Sequence, residues 1–356
     1  MRAGTVPVNA DTDYLDFVRS EALSEDFYEV VSSFGGNPNE LLELCGINPG
    51  SLYKPDSIIK FRAMINLFER AASDLQCPNF GLNMAKHCSE GISVLGPLNI
   101  AMRHASTLRD ALDYCCKHIH VYSPSIHVGI EKNDYGQDYM LWDILLEGVP
   151  CGRQVAEHAV GLAFNGFRML SNNEIKYSEV WFSHNQLAPK EAYRSFFGNI
   201  PVKFGMPFNA LYFGKGTLEM PISNRNPQIY EMALSYIDLK FPSSTAPLVA
   251  QVRVLLGRLL IQNQFSQANI AELLGLHPRT LQRRLRSEGA TFESIIDAVR
   301  REIALRNFVD GNVTLTEIAD KLGYSETSVL TRSCWRWFNR SPRQIREEIR
   351  VNGVIS

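Results

Sequence analysis

The chain has 356 residues, 45% of them hydrophobic and 21% charged, and a formal net charge of −2. That length accommodates two domains, and the ordinary globular composition excludes a disordered chain. The seven cysteines, at 45, 77, 88, 115, 116, 151 and 334, are odd in number and form no CxxC pair, which excludes a secreted disulfide scaffold and fits reduced thiols. The start of the chain lacks a signal-peptide pattern and no apolar run approaches bilayer-spanning length, so a cytoplasmic protein without membrane contact is expected.

In chain order, apolar residues at helical spacing predict helices over 14–34, 57–76 and 107–118. In the second, Ile58, Ile59, Phe61, Met64, Ile65, Leu67 and Phe68 form a broad stripe. The period then changes, and 125–131, 139–147, 178–183 and 209–213 are short, rich in β-branched or aromatic residues, and read as strands. A long helix over 149–170 interrupts them. Helices with strands not regularly interleaved predict an α+β domain over residues 1–240. The Pro- and Ser-containing stretch 241–247 reads as a linker.

Residues 248–356 form an all-α domain in this reading, with helices at 248–262, 267–274, 278–287, 291–310, 314–322, 326–338 and 341–350. The charge divides at the same place. Residues 248–356 hold 16 Lys and Arg against 11 Asp and Glu, a balance of +5, and residues 1–247 hold 20 against 27, a balance of −7. A basic region gains affinity for phosphate even in a slightly acidic protein.

The most specific signal is an internal repeat. Ile270-Ala-Glu-Leu-Leu-Gly-Leu276 and Ile318-Ala-Asp-Lys-Leu-Gly-Tyr324 are one phrase spaced by 48 residues. Each copy predicts a short helix, a glycine turn and a second amphipathic helix, opened by Pro278 in one copy and Ser325 in the other. At the 48-residue spacing Leu281 aligns with Val329 and Arg284 with Arg332. Facing outward in the first copy are Arg279, Thr280, Gln282, Arg283 and Arg286. Arginine pairs with guanine through two bonds and glutamine with adenine, so these types suit a helix in the major groove. The second copy offers Thr327, Ser328, Thr331 and Arg332, a smaller set suited more to positioning than to base discrimination.

On these residues the C-terminal region resembles the DNA-binding domain of AraC/XylS regulators, two helix-turn-helix units joined by a long helix. The family's closing phrase, Gly-Phe-Ser-x-x-Ser-x-Phe-x-Arg-x-Phe-x-x-Trp, is matched by Gly323-Tyr-Ser-Glu-Thr-Ser-Val-Leu-Thr-Arg-Ser-Cys-Trp-Arg-Trp337, with Leu330 and Cys334 in place of two aromatics. Ser341-Pro342 matches the opening of the family's last helix. Residues 38–240 resemble, more loosely, the effector-sensing and dimerisation region of one branch, through phrases such as Asn79-Phe-Gly-Leu82 and Thr107-Leu-Arg-Asp-Ala-Leu112. The resemblance implies a sequence-specific transcriptional regulator, an activator. Its partners would be double-stranded promoter DNA, RNA polymerase, a small organic effector and a second copy of the chain. The alternative is a regulator without a small-molecule ligand, controlled by abundance or by a partner protein.

The resemblance transfers no ligand. From composition, Trp142 in an aromatic strand and the cations Arg103, His120 and Arg153 are candidates to hold an amphipathic or carboxylate-bearing effector. Cys115, Cys116, His118 and His120 lie close in sequence but lack a second ligand cluster, so buried thiols are expected there and no metal or cofactor. Neither a phosphate loop nor a nucleophile elbow occurs, and His158 beside Glu157 diverges from it by about 100° on a helix, so no enzyme is expected.

Overall fold

The computed structural model describes residues 16–352 apart from 55–56, 89–90, 147–151, 242–247, 261–264 and 311–312. The expected linker therefore lies outside the described residues except for Phe241.

The chain opens with a short strand β1 (Val18–Arg19), a 3-10 turn and α1 (Ser24–Ser33), then α2 (Pro38–Leu44). Strand β2 (Ile58–Ile59) pairs antiparallel with β1, and α3 (Phe61–Asp74), α4 (Phe80–His87), α5 (Pro97–His104) and α6 (Leu108–His118) follow. Two sequence expectations change here. The helix expected over 14–34 begins only at Ser24, and Ile58 is an exposed strand residue rather than part of the α3 stripe. Pairing of two distant dipeptides satisfies backbone groups that helical periodicity does not register. A complete capping box, Thr107 with Asp110, starts α6.

A five-stranded sheet comes next, built from β3 (Ile126–Lys132), β4 (Asp138–Ile144), β5 (Tyr177–Trp181), β6 (Val202–Lys203) and β7 (Asn209–Phe213) in the order β3-β4-β7-β5-β6. All pairings are antiparallel except β5 with β6. The two-residue side-chain period splits β4 between faces. Met140 and Trp142 join the main core, while Tyr139 and Leu141 form a second cluster with Ala210 and Tyr212 on the other face.

Helix α7 (Arg153–Leu170) packs on the core face of this sheet and against α3 and α4. Small residues permit the close approach: a Cβ on Gly81 would lie 2.0 Å from the Gln154 carbonyl oxygen, and one on Gly161 would lie 2.7 Å from the Ala85 Cβ. The Gln154 side chain ties the contact, accepting from the Gly81 N–H at 2.8 Å and donating to the Pro78 carbonyl at 2.8 Å. Helices α8 (Lys190–Phe197) and α9 (Pro227–Lys240) complete this part, α9 lying along α5.

From Leu248 onward the described residues are helical: α10 (Leu248–Leu259), α11 (Gln267–Leu273), α12 (Pro278–Ser287), α13 (Phe292–Asp310), α14 (Leu315–Lys321), α15 (Thr327–Phe338) and α16 (Pro342–Asn352). Their apolar side chains gather in two clusters separate from that of the first 240 residues. Helix α13 serves both, with Phe292, Ile295 and Val299 in one and Ala304 and Phe308 in the other. No helix among the described residues is long and apolar enough to cross a membrane.

Candidate functional site

The two copies of the repeat begin alike. Ser266 accepts from the Asn269 N–H to cap α11, and Thr314 with Glu317 forms a capping box on α14. Ile270 and Ala271 of α11, like Ile318 and Ala319 of α14, are buried. Gly275 and Gly323 then take positive φ angles of 63° and 67°, a left-handed turn that a Cβ disfavours.

Beyond the glycines the copies fall out of step. His277 caps α12, its Nδ1 accepting from the Arg279 N–H at 3.2 Å, whereas α15 starts after Glu326 without a side-chain cap. Ser325, expected to open α15, does not cap it. The connection is one residue longer, so the second helices repeat at 49 residues. Leu281 and Leu285, fully buried, correspond to Leu330 and Cys334, also fully buried. The expected pairing of Leu281 with Val329 is corrected: Val329 is only partly buried. Arg283 then matches Arg332, and Arg286 matches Trp335, which is 49% exposed.

With Leu281 and Leu285 anchoring α12, Arg279, Gln282, Arg283, Arg284 and Arg286 are exposed, and Thr280 is half-buried. Among the described residues none of these four arginines makes an ion pair. Arg279, Gln282, Arg283 and Arg286 share one helix face, which therefore projects three unneutralised guanidinium groups and an amide, while Arg284 stands about 100° or more round the helix from them. Helix α15 is different. Thr327, Ser328 and Arg332 are exposed and Thr331 is half-buried, the Ser328 hydroxyl donates to Glu326 at 2.9 Å, and that of Thr331 donates to the Thr327 carbonyl at 3.1 Å. Arg336 is bound to Asp297 of α13, which also accepts from the Trp337 indole N–H at 2.9 Å. Ser341 caps α16 reciprocally with Gln344, as the Ser-Pro phrase implied.

A second feature lies between α7, α3, α6 and the core face of β3 and β4. This is a cavity of about 80 Å³, walled by Met64, Met140, Trp142, His158, Phe167 and other side chains, none of them acidic or basic apart from the histidine. Of the four candidate effector residues the structure brings only Trp142 to this wall. Arg153 binds Glu69 through Nη2 at 2.8 Å, Arg103 donates to the Asn99 side chain at 2.9 Å, and His120 lies 6.0 Å, ring to ring, from His118. Those engagements are with a residue distant in sequence for Arg153 and with residues two to four positions away for His120 and Arg103, which residue type alone does not reveal.

His158 and Glu157 point apart, as adjacent helical positions must. Glu157 accepts from the Tyr193 hydroxyl at 2.5 Å and lies 3.9 Å from His184 Nε2; burial pushes its carboxyl up to about 8. His158 contacts Phe68 at 5.2 Å between ring centroids and lines the cavity. Burial pulls its imidazole down to about 4, opposed in part by the Gly81 backbone. Cys115 also lines the cavity, its thiol pushed up by burial to about 12. No group of three or more His, Cys, Asp or Glu among the described residues is placed to hold a metal ion.

A mixed α/β region with a two-faced sheet, followed by helices that present a basic helix after a glycine turn, defines the class of DNA-binding transcription regulators. Residues 35–222 match the arabinose-binding domain of AraC transcription regulators, and residues 270–348 match a helix-turn-helix domain. The chain is 31% identical over 328 residues to the HTH-type transcriptional regulator VirS of Mycobacterium tuberculosis, covering 92% of this chain and 96% of that one. To the ornithine utilization regulator of Pseudomonas aeruginosa it is 24% identical over 347 residues, covering 96% and 98%. The crystal structure of the transcriptional regulator CdpR from Pseudomonas aeruginosa is similar over 91% of this chain and 98% of that one, at 19% identity and a TM-score of 0.41. The chain belongs to the AraC family of transcription regulators.

Proposed function

We propose that this regulator is an activator with a sensing and dimerisation domain over residues 1–240, a linker at 241–247 and a DNA-binding domain over 248–356. In the last, α11–α12 and α14–α15 are two helix-turn-helix units joined by α13, with α12 and α15 as recognition helices in successive major grooves. The observation that carries this is the α12 face of Arg279, Gln282, Arg283 and Arg286, free of carboxylate partners among the described residues. Helix α13, 19 residues long, spans roughly 28 Å at 1.5 Å per residue, against about 34 Å for one duplex turn. Arg300 of α13 supports a fixed spacing, since its guanidinium lies 5.4 Å from the Phe265 ring centroid and 4.6 Å from that of Tyr324, one in each unit. No catalytic step is assigned, and RNA polymerase is the partner through which bound protein acts.

Effector sensing is supported by the cavity and by a route out of it. Strand β4 lines the cavity with Met140 and Trp142 and continues to Leu145 and Leu146, whose carbonyls accept from Arg253 of α10 at 3.2 and 3.4 Å. Arg253 in turn reaches Glu302 of α13 at 2.5 Å. An effector shifts the regulator only through a different affinity for its two arrangements, and this chain of contacts joins the cavity wall to the helix between the units. Pairing of two copies is supported by α9, which exposes Ile229, Met232, Tyr236 and Leu239 at the three-and-four spacing of a helix-helix seam.

Footprinting on an operator selected from random sequence tests the DNA reading. Arg283→Ala lowers affinity by about 1–3 kcal/mol and relaxes the preference at one base pair. Arg332→Ala acts one helical turn away. Unchanged protection and preference in both variants would remove α12 and α15 from the interface.

A further inference from the structure

The family's N-terminal domain is described by a sugar, yet this cavity has the chemistry of a different ligand. We infer that the α7 cavity binds a largely apolar small molecule whose single uncharged hydrogen-bonding group, a hydroxyl or carbonyl, sits on His158. This rests on the sensing role proposed above and narrows it to a class of ligand.

The wall decides against a sugar first. Among the described lining residues there is no Asp, Glu, Lys, Arg, Asn, Gln, Ser or Thr; the polar atoms belong to His158, Tyr122, Trp142 and Cys115. A pentose brings several hydroxyl groups, and each one left without a partner in such a place loses its hydration uncompensated. A carboxylate fares worse. No arginine or lysine lines the space, and an isolated carboxylate in an apolar enclosure is among the costliest groups to bury. The earlier expectation of a carboxylate-bearing effector on Arg103, His120 or Arg153 therefore gives way, because Arg103 and Arg153 are held elsewhere and none of the three lines the cavity.

His158 supplies the anchor. It is 3% exposed, and neither ring nitrogen reaches a partner in hydrogen-bond geometry, the Gly81 backbone that acts on the ring included. Its neighbour Phe68 lies on one side, the cavity on another. A buried polar group without a partner carries a penalty that a ligand relieves. The neutral imidazole offers one N–H and one bare nitrogen, so a hydroxyl or carbonyl satisfies it without any charge. Met64, Met102 and Met140 also face the space, and their unbranched thioethers repack around guests of different outline.

The test uses the full chain with three probes of known chemistry: octan-1-ol, octanoate at pH 8, and L-arabinose. Binding is read from the melting temperature and from tryptophan fluorescence, with Trp142→Phe identifying the reporter. Octan-1-ol is expected to raise the melting temperature with concentration, octanoate to bind at least tenfold more weakly, and L-arabinose to leave the melting curve unchanged. Loss of one hydrogen bond predicts that His158→Phe weakens octan-1-ol by about three- to tenfold, and His158→Gln restores it. If the Phe variant does not fold, the Gln variant together with the three-probe ranking still decides. Equal binding of octanoate, binding of L-arabinose, absence of octan-1-ol binding, or indifference to His158 overturns the inference. Operator affinity measured in the same samples separates the two readings. Octan-1-ol that binds without altering operator affinity leaves the ligand class standing and removes the sensing role; L-arabinose or octanoate that alters it does the reverse.

Discussion

Replacing Glu157 with Gln changes the pH dependence of stability in a direction set by burial. The Glu157 side chain is fully buried; one carboxyl oxygen accepts from Tyr193 and the other has no partner. In the fold the group titrates near 8 instead of near 4.5, so its folded-state pKa is raised. Below pH 4.5 both folded and unfolded chains hold the proton and the site adds no penalty. As pH rises from there to 8, the unfolded chain releases its proton while the fold keeps it, and stability falls; above 8 both are ionised and the loss is complete. Each tenfold change in acidity is worth about 1.4 kcal/mol, so the full loss amounts to about 5 kcal/mol. The amide of the Glu157→Gln variant keeps an acceptor for the Tyr193 hydroxyl and has no proton to lose. Urea midpoints of both proteins, followed by near-ultraviolet circular dichroism from pH 5 to 9, should therefore diverge, with the wild type falling behind by several kcal/mol and the gap levelling off above pH 8. The common background includes His158 and His184, which burial lowers to about 4; they destabilise the fold as pH falls from 6.5 toward 4 and appear in both curves. Parallel curves across the whole range would refute the reasoning, showing that the carboxyl is ionised and solvated in the fold.

Leu330→Ala removes a fully buried side chain from the second helical cluster and is expected to cost about 2–5 kcal/mol, weakening protection at one half of the footprint more than at the other. A fragment of residues 243–356 is expected to fold as an all-helical unit by circular dichroism and to bind DNA with an affinity that drops steeply as salt rises; a folded fragment without salt-dependent binding would contradict the placing of DNA on this region. The double substitution Met232→Glu and Leu239→Glu, at side chains 72% and 85% exposed, is expected to halve the mass seen by light scattering while leaving the melting temperature nearly unchanged; an unaltered mass would contradict the proposed seam on α9.

Most helices of the C-terminal region were legible because their signals are local. Capping residues, a glycine in the left-handed region and apolar residues at helical spacing act within a few positions of one another, and α12 runs over the residues that pattern indicates. The register of α15 was not, because one additional residue after Gly323 rotates the whole helix by about 100°, and only contact with the core reports that Leu330 rather than Val329 faces inward. The same limit hid β6, two residues long and paired in parallel with β5, and the pairing of Ile58 and Ile59 with Val18 and Arg19.

What the sequence by itself determined was the outward face of α12: a duplicated helix–glycine–helix phrase with arginines and a glutamine at the positions around buried leucines leaves those side chains exposed. The tertiary structure decided the interior of the first 240 residues. Residue type alone offered Arg103, His120 and Arg153 as ligands, yet long-range packing commits Arg153 to Glu69 and leaves the cavity to aliphatic side chains, methionines, aromatics, a cysteine and one histidine. A cavity is the space that distant segments fail to fill, so its walls and its polarity exist only once α3, α6, α7 and the sheet have met.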